Sequence, residues 1–221
     1  MKKELTATDI EKLYAFLQKK FVDTYDIQTE LVDHLASDIE KQWEENPDLT
    51  LDEAIQKVYK SFGIFGFMDV YEKRIAAIQK ENMLLWLRTF LAYFKLPHLL
   101  LSLALFVGFQ LALTSLDPGM VKLVSLGGLT AAILYFAVKE FVFLKKKLHK
   151  KLSIMQYTYG FTPLLYFPMY LNYMVLEKLI PEAIWPYALH ITISFILTIA
   201  YIDTIDKIKQ RAQKLYPAAF A

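Results

Sequence analysis

Apolar residues change their pattern along this chain near residue 97. Before it they recur every three or four positions, the stripe of an amphipathic helix. Beyond it they run nearly unbroken in four stretches, 97–116, 121–143, 159–176 and 183–202. Each is close to the ~20 residues a helix needs to cross a ~30 Å hydrocarbon core. In the first part, Ile10, Leu13, Tyr14, Leu17 and Phe21 share one helical face, opened by Thr8-Asp9-Ile10-Glu11 read as a capping box. Ile27, Leu31, Leu35, Ile39 and Trp43 form a second column, with Asp26 as its N-cap and Asn46-Pro47 as its stop. Thr50-Leu51-Asp52-Glu53 opens a third helix with Ala54, Ile55, Val58 and Tyr59 inward and Gly63 as its C-terminal cap. A fourth helix is predicted over about 65–80. The expected fold is all-α: a small cytoplasmic helical bundle over 1–80, then four transmembrane helices within 97–206.

Between the two lies Met83–Lys95, apolar almost all round but too short to span, with Arg88 and Lys95 beside aromatic rings. It is expected as an interfacial connector helix over 81–96, and 207–221 as a cytoplasmic tail. The threading follows from the cations. Lys145, Lys146, Lys147, Lys150 and Lys151 interrupt the apolar half, and a short basic loop of this kind stays cytoplasmic. With Lys80, Arg88, Lys95, Lys207, Lys209, Arg211 and Lys214, that side holds twelve cations against Lys178, with Lys122 at a span edge. Both termini are therefore expected inside, in a multi-pass membrane protein.

Charge separates the two parts further. Residues 1–80 carry eleven Lys/Arg against sixteen Asp/Glu, a net of −5, and the remainder carries +7. The cations gather where topology needs them, so nucleic acid is not an expected partner. The chain has no cysteine, which excludes disulfides and thiol chemistry. Leu5-Thr6-Ala7-Thr8-Asp9 offers no apolar core, so the start is not read as a signal peptide.

The order Glu30-Leu31-x-x-His34-Leu35, Ile39-Glu40, Thr50-Leu51-x-Glu53-Ala54-Ile55, Phe62-Gly63 resembles the HAAS-type helical domain over about residues 8–75. Pro47-Asp48-Leu49 stands where that family usually has a glycine before the third helix. The resemblance implies a compact cytoplasmic signalling module fused to membrane spans in bacteria, often encoded beside PadR-like transcription regulators. It implies no catalytic residues.

Three groups of residues invite a chemical reading. Glu30, His34 and Asp38 lie at i, i+4 and i+8 on one face, a pattern able to meet a divalent metal. With no second histidine nearby, pairing with helical neighbours is the preferred reading and no metal or cofactor is expected. Gly127-x-x-x-Ala131 and Gly128-x-x-x-Ala132 would let another helix approach closely, either within the chain or from a second copy. Tyr166, Tyr170, Tyr173 and Asn172 of the third run, and His190, Ser194 and Thr198 of the fourth, form two polar stripes expected to face across a shared seam. Hydrogen-bonded glue is favoured over a transport path, because no ionisable group joins His190 to Asp203. Phosphate loops, paired helical histidines and nucleophile elbows are absent, so no enzyme is expected. The preferred function is a non-catalytic regulator or adaptor presenting its module to a cytoplasmic protein partner. The alternative is a small transporter or channel subunit using the seam.

Overall fold

A computed structural model describes residues 3–63, 66–156 and 184–220. These are all-helical, with no strand among them. In chain order they form α1 (Ala7–Lys19), α2 (Tyr25–Glu45), α3 (Leu51–Ser61), α4 (Met68–Ala92), α5 (His98–Ser115), α6 (Pro118–Lys147), the short α7 (Ser153–Gln156) and α8 (Ile184–Leu215). A 3-10 turn, Pro217–Ala219, closes the chain. Contacts divide it into two compact units. One gathers Met1–Gln79, His149–Tyr157 and Tyr216–Ala221, the other Lys80–Leu148 and Thr158–Leu215.

The first unit is built on the face of α2. Ile27, Leu31, Leu35, Ile39 and Trp43 are all buried, against Leu13 and Leu17 of α1 and Ala54, Ile55 and Val58 of α3. Truncating one such side chain, Leu35 for instance, costs about 2–5 kcal/mol in a packed core. The Trp43 indole N–H donates to the Leu49 carbonyl at 2.9 Å, which ties the end of α2 to the approach to α3. Gly66, at φ +56°, lies so close to Tyr59 that a Cβ there would fall 2.6 Å from the phenol oxygen.

Three local expectations change. The capping box of α1 is Thr6 with Asp9 rather than Thr8 with Glu11: Thr6 accepts from the Asp9 amide and Asp9 from the Thr6 amide. Phe21 is 86 % exposed, because α1 ends before it and the chain reverses there. The Phe21 amide donates to Gln18 and the Val22 amide to Leu17, the paired bonds of a Schellman cap. Phe21 thus occupies the left-handed position, φ +65°, that glycine usually fills, and Val22 takes the core place against Leu17. Finally, α2 starts at Tyr25 after Thr24, so Asp26 lies in the first turn and its carboxylate serves another segment.

In the second unit α8 packs against both α5 and α6, which also touch each other. Leu113, Val121, Tyr187, Ala188 and Ile191 form one buried cluster, and Ile133, Phe136, Tyr201 and Ile205, with Trp86 beside them, form another. Much of the remaining apolar surface stays open: Leu100, Leu103, Val107 and Leu111 on α5, and Leu123, Val124, Leu134, Val138 and Phe141 on α6. So much exposed hydrocarbon is foreign to a water-soluble surface and ordinary in lipid. Three helices, His98–Ser115, Gly119–Lys147 and Ile184–Leu215, are long and apolar enough to cross a membrane. The run at 159–176 lies outside the described residues.

Two helices run past the expected segment limits, while the two compact units divide at Gln79 and Lys80. The fourth bundle helix and the connector are one continuous α4, since nothing between Met68 and Ala92 breaks a helix. Its exposed side carries Met83, Leu84, Leu87 and Leu91, while Trp86 faces the inner cluster. Likewise α8 continues beyond the apolar run 183–202 to Leu215, because no proline or glycine intervenes before Pro217 and Asp203–Lys207 and Asp206–Lys209 pair along it.

Candidate functional site

The densest polar arrangement of the first unit lies at the start of α2. The carboxylate of Asp26, only 4 % exposed, accepts from the Ser153 amide at 2.9 Å, from the Ile154 amide at 3.0 Å and from the Ser153 hydroxyl. It therefore caps α7, the segment that follows the lysine block, from more than a hundred residues away in sequence. Charge-assisted bonds of this kind are roughly twice as strong as neutral ones. Next to it the Tyr25 amide donates to the Lys151 carbonyl at 2.8 Å. Lys151 pairs with Asp23 at 2.8 Å, and the Lys150 ammonium stands 4.0 Å over the Tyr25 ring. A cleft of about 470 Å³ opens here, between Tyr14, Gln18, Gln28 and the two lysines.

The chain's end meets the same region. The His149 amide donates to the Ala219 carbonyl at 2.8 Å. Burial first, then the negative charge of Asp26, hold the Tyr216 hydroxyl above the usual tyrosine range, with Arg74 opposing. Arg74 itself pairs with Glu30 at 3.0 Å. The bundle thus holds both the segment after α6 and the segment after α8.

The second unit contains a buried ion cluster. Lys209 of α8 reaches Glu140 of α6 at 2.5 Å and Asp206 at 2.6 Å, and its ammonium lies 5.0 Å from the Phe143 ring. Both Glu140 and Lys209 are buried. Lys207 reaches Thr89 and Arg211 reaches Glu81, so the polar end of α8 also grips the second half of α4.

The residues singled out by pattern fare differently. Glu30 and Asp38 do not converge on His34: one is engaged by Arg74, the other by Lys41 at 3.0 Å. Among the described residues no group of His, Asp or Glu could hold a metal ion. On α8 the Ser194 hydroxyl donates to the His190 carbonyl and the Thr198 hydroxyl to the Ser194 carbonyl, both at 2.9 Å. These donors are spent within their own helix, as hydroxyls in apolar surroundings commonly are. Tyr166, Tyr170, Asn172 and Tyr173, the other half of the expected seam, lie outside the described residues. Gly127 and Gly128 have nothing within 4 Å of a Cβ built on them, so the small-residue stripe is open.

Sequence reading missed both real clusters. The bond from Asp26 to Ser153 leaves no local trace, since the distance along the chain carries no periodicity. Glu140 did give a signal: a carboxylate within an apolar run needs a cation, and the polar end of α8 supplies the candidates. No protein-family model, curated protein or solved structure matches this chain.

Proposed function

We propose that this protein is a non-catalytic regulator or adaptor of the bacterial inner membrane, with both termini cytoplasmic and its HAAS-like bundle exposed to a protein partner. The carrying observation is that Asp26 caps the segment after α6 while the same bundle holds the segment after α8. The bundle is also continuous with α4. A partner that moves the bundle would thereby act on three connections to the membrane helices at once. The module is engaged by its own chain through Asp26, and the exposed face of α2 around Lys41 is the surface we assign to the partner. The bilayer is the second partner, and another copy is a third through the open stripe of α6.

A small transporter or channel subunit is the second reading, favoured by the buried Glu140–Lys209 pair between α6 and α8, with the partly exposed Asp206 beside it. Single cysteines at Lys41 and Glu44, crosslinked in native membranes, separate the two, since the chain has no cysteine of its own. The adaptor reading expects one discrete cytosolic protein captured from both positions. Crosslinks confined to the chain itself would turn the balance to transport. Reporter fusions after Lys151 and at Asp117 should give opposite topology signals, and equal signals would overturn the threading.

A further inference from the structure

We infer that Lys150 and Lys151 form an exchangeable contact, held either by the acidic bundle or by anionic phospholipid, so that the bundle's grip on the segment after α6 responds to membrane surface charge. This rests on the reading that α6 crosses a membrane. Four observations carry it. Lys151 follows the last residue of α6 by four positions, so chain length keeps it within ~14 Å of that helix end. The contacts that hold the two lysines are open to solvent: in the Lys151–Asp23 pair the side chains are 72 % and 56 % exposed, and Lys150 rests on the Tyr25 ring from outside. Exposed ion pairs and cation–π contacts are individually weak, and a lysine beside anionic headgroups gains a comparable amount. Neither site therefore dominates, and the lysines cannot occupy both. Lys145, Lys146 and Lys147, which end α6, are exposed and add to the attraction of an anionic surface.

The buried bonds from Asp26 to Ser153 and Ile154 form the other half of the device. They are shielded from ions and lipid, so they set how much lipid is needed, while the lysines supply the sensitivity.

The test uses the full chain with Ala15→Cys and Gln156→Cys carrying spin labels, both positions being exposed. It is reconstituted in phosphatidylcholine vesicles or in equal parts phosphatidylcholine and phosphatidylglycerol. Phosphatidylcholine should give a mainly short-distance distribution with a minor longer one. Phosphatidylglycerol should shift the ratio toward a longer distance by at least about threefold, the scale expected of two lysines near an anionic surface. The variant K150Q/K151Q should lose that response. Equal distance distributions in the two lipids, or an undiminished response in the variant, would overturn the inference. Flotation of the vesicles tests the membrane reading separately: protein that fails to float with either composition refutes that reading, not the exchange alone.

Discussion

Replacing Asp26 with alanine should release α7 from the bundle without unfolding the bundle core. The carboxylate accepts two amide protons and one hydroxyl proton in a site that is 4 % exposed. Hydrogen bonds to a buried charge are worth about 1.5–3 kcal/mol each, and they do not add fully when they share an acceptor. If the segment stayed seated, the Ser153 and Ile154 amides would be buried without an acceptor, at about 1–3 kcal/mol apiece. Peeling away lets both amides reach water but exposes the buried Leu152, Ile154 and Met155, so the segment should open more often while the core keeps its packing. A loss of about 2 kcal/mol corresponds to a roughly thirtyfold rise in exchange when reclosing is faster than exchange. Hydrogen–deuterium exchange at Ser153–Gln156 reads this directly, with amides around Leu31 and Leu35 as an internal reference. Asp26→Asn keeps one acceptor oxygen and should fall between. Asp23→Asn removes only the exposed pair with Lys151, worth at most about 1 kcal/mol, and should change exchange less than about fivefold. The same Asp26→Ala change should lower the Tyr216 pKa, since it removes a charge that raises it. Unchanged exchange at Ser153–Gln156, or an equal effect from Asp23→Asn, would refute the reasoning.

Phe21→Gly should stabilise the bundle by about 0.5–1 kcal/mol: relief of the left-handed backbone, about 1–2 kcal/mol, exceeds the added chain entropy of glycine, about 0.5–1 kcal/mol. A lower denaturation midpoint would show that Phe21 makes a contact that matters more than its backbone. Lys209→Met removes the cation that Glu140 faces and should cost about 3–5 kcal/mol, much of it regained in Lys209→Met/Glu140→Leu. Thermal unfolding of the four-member cycle in detergent measures the coupling, and additive losses would deny the pair. Hydrogen bonds from Thr6 and Thr50 hold Asp9 and Glu53 below the usual carboxylate range. Their contribution is then present above the unfolded carboxylate pKa of about 4 and is lost as pH falls through the lower folded values. Helicity followed by circular dichroism should decline in that acid window, and Thr6→Ala/Thr50→Ala should flatten the dependence.

What the sequence determined by itself was local or periodic. The column Ile27–Trp43 needs only a helical repeat and a core to meet, and the Thr50–Glu53 cap needs only its own four residues. The apolar runs at α5, α6 and α8 reflect composition over a bilayer's thickness, which no folding partner changes. Boundaries were less legible. Nothing in Phe21 announces a left-handed turn, because the Schellman bonds, not the residue, impose it. The join of bundle and connector into α4 was hidden because a change of hydrophobic pattern is not a helix break. Only the tertiary structure could decide what Asp26 caps and which cation Glu140 meets. In both cases a buried carboxylate demands donors, yet that demand sets only their chemistry, and folding alone brings Ser153, Ile154 and Lys209 within reach.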